Sequence, residues 1–513
     1  MHPPDDVVAS RSVHNRAVAT QATQATEPAW RSTLYGVIRR PGEPRLLVVP
    51  DSAPPAAEPG TGVHAPAGQP ARRAGRWSLP SCTAERRVWF REAGYVGRLF
   101  REQHGLEVAV LRCLAQDDDE AHREQHALYA LEIVDRVWSA PAGARWAGRE
   151  DLARRWLAPP VRPALREALE TWLAEVEGGP VPAQRNPWAQ EGWYAQAVGW
   201  MRAQLAARGR PPTGPVEQVK SWSISSVLRV PTAAGGVYFK AVPPLFAAEP
   251  VVTRALAQRF PQHIPAVLAI DPARRWMLLE DAGPPLRGRT DVALWERLLR
   301  TFAQIQQAYA GQAGQAAQTS QQGAVDALLA LGCADRRLDV LASQIDPLLN
   351  DAGPLDGVEP ALVERLRAQA PRLRAMCAEL AAAGVPPALV HGDLHAGNVA
   401  ARDGEPVFFD WTDACVAHPF LDYVTIVGDD PARLGGDLAR AAGRLRDAYL
   451  QPWTAYAPAA RLRPALELGT TLGALHQAVS YQMITRSVEP AARHEWSGAM
   501  RSWLRRVLRR LEA

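Results

Sequence analysis

The stretch between His391 and Trp411 places several oxygen-bearing side chains at short, fixed intervals. It reads HGDLHAGN from His391 and FFDW up to Trp411, so Asp393 and Asn398 are five residues apart and Asp410 follows twelve residues later. A loop between two short strands can present Asp393 and Asn398 to one cavity. A turn and an apolar strand then lead to Asp410. Carboxylate and amide oxygens are hard ligands suited to Mg²⁺. The spacing therefore predicts a strand–loop–strand unit that ends in a metal-binding aspartate.

Transfer of a phosphoryl group to a hydroxyl requires this set of side chains. One carboxylate accepts the hydroxyl proton, while a second carboxylate and an amide oxygen hold Mg²⁺. The two stretches resemble the signature of the aminoglycoside phosphotransferase and choline kinase-like family. The resemblance implies ATP as donor, Mg²⁺ as cofactor and a small hydroxylated molecule as acceptor. It implies Asp393 as catalytic base and Asn398 and Asp410 as magnesium ligands. His391 and His395 would brace the loop, the latter near the phosphates.

Lysine is rare in this chain, so each one is informative. Only Lys220 and Lys240 are lysines among 58 basic residues. Lys240 lies late in the predicted strand 236–242, where the resemblance places the lysine that contacts the α- and β-phosphates. A compact ammonium on a flexible stem suits that contact better than a planar guanidinium. Glu249, which opens a predicted helix, is the expected partner of Lys240.

Two further segments are expected to bind the nucleotide. Residues 222–226 lie between two predicted strands, where members of the family fold a loop over the phosphates. This loop is not glycine-rich, so its backbone N–H groups and the hydroxyls of Ser225 and Ser226 would hold the phosphates. Glu280 and Asp281 end a predicted buried strand at the position of the hinge, where backbone atoms would bind the adenine.

The acceptor is expected to bind on the carboxy-terminal helical region. Asp413, His476, Tyr481 and Gln482 could line its site, although ordinary packing is the favoured interpretation for each. Asp422 is predicted to bond the backbone near the catalytic loop rather than to take part in chemistry. A site for a polycationic antibiotic should be strongly acidic. Because arginines are interspersed with the acids of this region, a small hydroxylated metabolite is preferred.

The amino-terminal region carries a second, partial resemblance. Strand signals, a Trp-x-Leu-Pro strand end at Trp77 and a helix that closes in Arg-x-x-x-Glu-x-x-Gly-Leu resemble a Nudix hydrolase domain. Arg98 and Glu102 match its helix. Nudix chemistry needs several carboxylates to hold its metal ions. This sequence has other residues at the opening glycine and at three carboxylate positions, namely Ala84, Phe90, Leu99 and Gln103. We therefore predict a Nudix-like fold without hydrolase activity, with an unrelated α/β domain as the alternative.

The order of these elements predicts a multidomain chain of the α/β and α+β classes. A disordered arm over residues 1–28 precedes a Nudix-like α/β/α domain over 29–178 and a helical connector over 179–215. A bilobal protein kinase-like fold follows. Its small β-rich lobe spans 216–283 and its large helical lobe spans 284–513. In the helical lobe the pattern predicts helices over Leu338–Leu348, Pro360–Ala383, Leu434–Tyr449, Ala465–Thr485 and Pro490–Leu511, the last with a basic, solvated face. The segment Gln304–Gln322, rich in Gln, Ala and Gly, is predicted to be a helix that runs into a flexible insertion.

Composition narrows the class of protein. The net charge of +4 is small for 513 residues and does not indicate nucleic-acid binding. No apolar run approaches the roughly 18 residues that a membrane helix requires, so no membrane contact is expected. Five scattered cysteines, without metal-binding spacing, and the absence of a secretory signal predict a cytoplasmic protein. Oligomeric state is not predictable from these features.

Two other functions remain open at this point. The chain could be a non-catalytic nucleotide sensor or scaffold that combines a degenerate Nudix-like domain with a kinase-like one. The complete set of Lys240, Asp393, Asn398 and Asp410 argues against this, since non-catalytic relatives of kinases usually lack one or more of them. The chain could instead join an active Nudix hydrolase to a kinase. That alternative requires the protein to release a nucleoside monophosphate from a dinucleotide substrate, and this activity should be lost in Glu102→Gln.

Overall fold

The computed structural model describes residues 29–50, 77–134, 138–140, 143–151, 162–310, 317–355, 357–428 and 434–512, so the predicted disordered arm lies outside it. The described chain clusters into two compact units. The amino-terminal unit contains residues 29–200 and 216–228, and the carboxy-terminal unit contains 201–215 and 229–512. Within the described ranges, no helix has the length and apolar character needed to cross a membrane.

The amino-terminal unit is built on a mixed four-stranded sheet. Its strand order is β4-β1-β6-β5, in which β1 runs antiparallel to β4 and parallel to β6. A second sheet has the order β3-β2-β7. The strands are β1 Arg31–Ile38, β2 Leu46–Pro50, β3 Trp77–Ser78, β4 Ser81–Ala84, β5 Val108–Asp119, β6 Glu124–Ile133 and β7 Arg145–Ala147.

Each face of the four-stranded sheet is covered by a helix. Alternate strand residues point to opposite faces, so Leu34 and Tyr129 pack with the helix α1, Ala93–His104. Val37 and Leu128 pack with the helix α2, Pro163–Val176, on the other face. The two clusters of buried side chains give this unit a three-layer arrangement of helix, sheet and helix.

The strand β8, Glu217–Trp222, clusters with the amino-terminal unit, although the sequence assigns it to the kinase-like lobe. The Gln218 side chain bonds both backbone groups of Val110, with N···O distances of 2.8 Å each. Ser221 N donates to Arg91 O at 3.2 Å. These backbone contacts explain the clustering. The predicted connector contains a 3-10 turn and the helix α3, Trp193–Ala206.

The first part of the carboxy-terminal unit is antiparallel sheet. The strands β9 Ser225–Thr232, of which residues 229–232 belong to this unit, β10 Gly235–Ala241, β11 Val267–Asp271 and β12 Trp276–Glu280 follow the order β11-β12-β10-β9. Lys240 is in register with Met277 across the β10–β12 pair. The helix α4, Glu249–Arg259, follows β10.

The remainder of this unit is mainly helical, with short strands around the loop of Asp393. The strands are β13 Ala334–Asp335, β14 Ala388–Val390, β15 Val399–Arg402, β16 Glu405–Phe408 and β17 Cys415–Ala417. The helices are α5 Val292–Gln307, α6 Ala317–Ala330, α7 Leu338–Ser343, α8 Ile345–Asn350, α9 Pro360–Ala381, α10 Tyr423–Ile426, α11 Gly436–Arg440, α12 Ala442–Leu450, α13 Ala459–Ser487 and α14 Ser497–Glu512.

Several helix predictions differ from the structure at their ends. The predicted helix Leu338–Leu348 is two short helices that meet at Gln344. The run predicted from Gln304 stops at Gln307, and residues 311–316 lie outside the described residues. The last predicted helix starts as a 3-10 turn at Pro490, because proline suits a first turn and lacks the N–H that a helix interior uses.

The basic face of α14 also differs from the expected solvated surface. Arg505 donates to Glu359, and Arg510 donates to Glu467 at 2.9 Å. Arg501 lies 3.8 Å from the same Glu359 carboxylate. Several of its arginines therefore connect α14 to neighbouring helices, which is consistent with burial of its opposite, apolar face.

The long helix α13 packs closely against the 3-10 turn Pro419–Asp422. A Cβ built on Gly469 would lie 2.5 Å from Phe420 Cβ, and one on Gly473 would lie 2.9 Å from Val424 Cγ1. Real Cβ atoms do not approach that closely, so both positions require glycine. The contact places the backbone of α13 directly on the turn.

Candidate active site

The loop that carries the predicted base joins β14 to β15 and is closed by its own hydrogen bonds. Asn398 N donates to His395 O at 2.8 Å, and Phe409 N donates to Asn398 O at 3.0 Å. Asn398 Nδ2 donates to Asp393 O at 2.9 Å. Asp393 and Asn398 are thus fixed relative to each other, as the five-residue spacing requires.

Asp422 holds the start of this loop through backbone bonds, as its sequence position predicts. Its two carboxylate oxygens accept from His391 N and Gly392 N, at 2.8 Å each. Gln306 Nε2 donates to the same carboxylate at 3.1 Å. Gly392 has a φ of +79°, and a Cβ there would meet the Asp413 backbone. The turn therefore depends on a glycine and on a buried acid that does not contact the reacting groups.

The protonation of Asp422 should make stability depend on pH. Burial raises its pKa from 3.8 to about 7, despite the hydrogen bonds from His391 and Gly392. At this carboxyl the folded state then binds more protons than the unfolded state between these values, so the contribution of Asp422 to the free energy of unfolding falls as pH rises from about 4 to 7. Asp422→Asn should remove this contribution from the slope. It should also destabilise the fold by about 1–3 kcal/mol, because one backbone N–H loses its acceptor.

Urea unfolding at several pH values measures this effect. Asp437→Asn is the matched control, because the Asp437 side chain is 67% exposed and pairs with Arg440 of its own helix. Its slope should equal that of the unaltered protein. If the slope of Asp422→Asn also equalled that of the unaltered protein, the assignment would be contradicted.

His391 is fully buried and braces the loop as a neutral imidazole. Its Nε2 lies 3.1 Å from Phe409 O, and its Nδ1 accepts from Asp393 N at 3.3 Å. One neutral tautomer, with the proton on Nε2, satisfies both contacts. Burial lowers the pKa of His391, although Asp393 opposes this effect. The imidazole of His391 therefore connects the backbone of Asp393 to that of Phe409, the residue before Asp410.

His395 lies beside the predicted base. Its Nδ1 accepts from Gly397 N at 2.9 Å, which places its proton on Nε2 in the neutral form. Nε2 lies 3.8 Å from Asp393 Oδ2. The second histidine of the motif therefore lies beside the carboxylate of Asp393.

Lys240, Glu249 and Asp410 form one cluster. Lys240 Nζ lies 2.6 Å from Glu249 Oε1, 2.6 Å from Asp410 Oδ1 and 2.6 Å from Thr412 Oγ1. The side chain of Glu249 is fully buried, whereas that of Asp410 is 34% exposed. Burial would lower the pKa of Lys240, but Asp410 and Glu249 outweigh it and the pKa is raised, so the ammonium stays charged. Residues 170 positions apart in the chain therefore meet at this cation.

The donor atoms around Asp410 fit a magnesium ion. Asn398 uses its amide nitrogen toward Asp393 O, so that bond does not consume its amide oxygen. Asp410 adopts a left-handed backbone with φ +65°, and its carboxylate is partly exposed. The described residues contain no group of three His, Cys, Asp or Glu side chains suited to a metal. Mg²⁺ does not require one, because it commonly takes one or two protein oxygens together with substrate phosphates and water.

The serine hydroxyls predicted to hold phosphates are engaged or buried in the structure. Residues 223–224 form a tight hairpin turn between β8 and β9. Ser225 Oγ accepts from the Trp222 indole at 2.7 Å, and Ser226 is fully buried. The position of these residues between two strands favoured a loop over the phosphates, but the Trp222 indole occupies the hydroxyl of Ser225.

The hinge residues have part of their backbone already bonded. Glu280 N donates to Ala266 O at 2.9 Å, and Asp281 N donates to Gly236 O at 3.1 Å. The Glu280 carboxylate accepts from Arg210 at 2.7 Å. The backbone N–H groups of Glu280 and Asp281 are therefore already used within the sheet.

Three candidates for the acceptor site are packing residues. His476, Tyr481 and Gln482 are at most 4% exposed. His476 Nε2 lies 3.7 Å from Cys415 Sγ, and burial lowers the pKa of His476 to about 3. Gln482 donates to Pro347 O at 2.9 Å. Asp413, the fourth candidate, is half-buried beside Gly392.

The sequence did not single out several residues that support the loop. Thr412 contacts Lys240 and donates to Asp410. Gln477 of α13 donates to Gly392 O. Arg287 lies against Gly397. Thr412 follows the metal-binding aspartate by two residues, which is a usable signal, whereas the other two lie far from the motif in the sequence.

This site belongs to a region that matches a known class of transferases. Residues 227–462 match the family model described as the phosphotransferase enzyme family, APH. The matched region contains the Lys240 cluster and the whole loop from His391 to Asn398. A search of curated proteins found no relative that matches the chain.

Solved structures with similarity to the chain include three phosphotransferases. A choline/ethanolamine kinase family protein from Mesorhizobium loti is 18% identical, with a TM-score of 0.41, over 61% of this chain and 99% of that one. Choline kinase from Cryptosporidium parvum is 11% identical, with a TM-score of 0.43, over 62% and 95%. A spectinomycin phosphotransferase bound to ADP and spectinomycin is 10% identical, with a TM-score of 0.37, over 61% and 98%. These values are too low to assign a substrate.

Proposed function

We propose that this protein is an ATP- and Mg²⁺-dependent phosphotransferase that phosphorylates a hydroxyl group of a small metabolite. The observation that carries the proposal is the position of Lys240 Nζ, 2.6 Å from both Glu249 and Asp410. It joins a strand, a helix and the predicted metal-binding aspartate at one cation. The family match over residues 227–462 supports the same class of activity.

Each residue has a defined task in this proposal. Lys240, held by Glu249, binds the inner phosphates of the nucleotide. Asn398 and Asp410 would hold Mg²⁺, which when bound neutralises charge on the phosphates. Asp393 accepts the proton of the attacking hydroxyl, and His395 lies beside it. Most of the rate enhancement then comes from positioning and electrostatic stabilisation, because phosphoryl transfer leaves little covalent chemistry to the protein.

The acceptor proposed here is a hydroxylated metabolite rather than a polycation. A polycation would need unpaired carboxylates on the helical part of the unit. Several acids there already pair with arginine, for example Asp351 with Arg486 and Glu467 with Arg510. Their charge is largely neutralised within the protein, so they offer little attraction to a cationic antibiotic.

Calorimetric titration with ATP, with and without Mg²⁺, tests nucleotide binding. Transfer from labelled ATP to a panel of hydroxylated metabolites then tests the reaction. We expect Mg²⁺-dependent binding and at least one phosphorylated acceptor. Binding without any Mg²⁺-dependent turnover, with or without acceptors, would favour the nucleotide sensor. No binding at all would exclude both functions.

We also propose that the amino-terminal unit is Nudix-like and does not hydrolyse nucleotides. Gln103 occupies a position that the resemblance assigns to a metal-binding carboxylate. Its side-chain amide instead bridges the backbone of Thr83, accepting from N at 3.1 Å and donating to O at 3.0 Å. Glu102 remains exposed on α1. Gln103 therefore connects α1 to β4 instead of binding a metal ion.

A further inference from the structure

The short segment that follows β12 brings an arginine onto the catalytic loop. Leu286 N donates to Val399 O at 2.8 Å, and Pro285 forms a bridge with Ala400. These backbone contacts fix the segment against the start of β15. Arg287 is the next residue. Its backbone position beside the loop between Asp393 and Asn398 is therefore set by these contacts.

The guanidinium of Arg287 lies directly over Gly397. A Cβ built on Gly397 would be 2.6 Å from Arg287 Cζ and 2.6 Å from His395 Cε1. The absence of a side chain at Gly397 leaves the space that the guanidinium occupies. Arg287 therefore lies against the loop that carries Asp393, at Gly397, the residue before the predicted metal ligand Asn398.

The side chain of Arg287 makes no hydrogen bond or ion pair within the described part of the chain, whereas that of Arg297 donates to Gly404 O at 2.6 Å. Arg287 is half-buried, and burial lowers its pKa while the charge of Asp393 opposes this effect. A partly desolvated guanidinium with no hydrogen-bonded acceptor is stabilised when an anion binds to it.

We propose that Arg287 is a catalytic residue that binds the phosphoryl group during its transfer. This rests on the proposed function. The acceptor oxygen forms a bond to the γ-phosphorus while its proton passes to Asp393. The bond from the γ-phosphorus to the bridging oxygen breaks, and ADP leaves with the electron pair. Negative charge is spread over the three equatorial oxygens of the transferring group, and the planar donors of Arg287 bind them.

Binding of ADP with Mg²⁺ and aluminium fluoride tests this assignment without knowledge of the acceptor. Aluminium fluoride imitates the transferring phosphoryl group, so it should tighten ADP binding to the unaltered protein. In Arg287→Gln the affinity for ADP alone should stay within about twofold, and the tightening should fall by about 10-fold or more. Arg287→Lys should recover only part of it, because lysine lacks the bidentate geometry.

Two further variants separate the charge from the fold. Arg289→Gln is the control, because Arg289 is exposed and two residues away, and it should keep the full tightening. Gly397→Ala should lose the tightening without removing a charge, because its Cβ displaces the guanidinium.

The outcomes distinguish the two proposals. Unchanged tightening in Arg287→Gln, with normal ADP binding, overturns the role of Arg287 and leaves the proposed function intact. Failure of the unaltered protein to bind ADP and Mg²⁺ overturns both. Loss of tightening confined to Arg287→Gln and Gly397→Ala supports the assignment.

Discussion

Asp393→Asn is expected to reduce phosphoryl transfer by about 10³-fold or more while nucleotide affinity changes little. The substituted amide cannot accept the hydroxyl proton. The fold of the loop should persist, because the backbone oxygen of Asp393, and not its carboxylate, accepts from Asn398. Transfer of labelled phosphate measures turnover, and calorimetry measures the affinity for ATP.

The matched control for this change is Asp403→Asn. Asp403 is exposed in the turn between β15 and β16, ten residues along the chain, and has a φ of +51°, which asparagine also tolerates. Activity should be unaltered in this variant. If Asp393→Asn kept the rate of the unaltered protein, Asp393 could not be the base.

Lys240→Met should lower both activity and stability. Loss of the ammonium removes the contact with the inner phosphates, and we expect turnover to fall by about 10²-fold or more. The substitution also leaves the fully buried Glu249 without its counter-charge, which costs about 3–5 kcal/mol. Phosphate transfer and urea unfolding measure the two effects separately.

A double variant separates these effects. Lys240→Met combined with Glu249→Gln removes the unpaired buried charge, so part of the lost unfolding free energy should return. Activity should remain low, because the phosphates still lack their cation. Recovery of activity together with stability would show that Lys240 acts through the fold alone.

The chemistry of the site was largely predictable from the sequence. The motif contains Asp393 and Asn398 within one loop, and the scarcity of lysine drew attention to Lys240. The structure brings Lys240 to Glu249 and to Asp410, as the family resemblance implies. The resemblance was informative because its motifs are short and lie within single segments of the chain.

Other parts of the site depend on contacts between distant segments. Arginine fills 56 of the 58 basic positions and lysine the other two, so nothing marks Arg287 in the sequence. The helix α13 is buried on nearly all sides, and its apolar pattern does not reveal which face lies inside. His476 and Gln482 were therefore only candidates for a ligand surface, with packing favoured, and tertiary packing buries both of them.

The close approach of α13 to the turn Pro419–Asp422 has a consequence for substitutions that lie outside the loop of the base. Main-chain atoms at Gly469 and Gly473 set the distance to the turn that carries Asp422. Asp422 in turn anchors the loop of the base. A larger residue at either glycine should therefore displace the base, although neither glycine belongs to its loop.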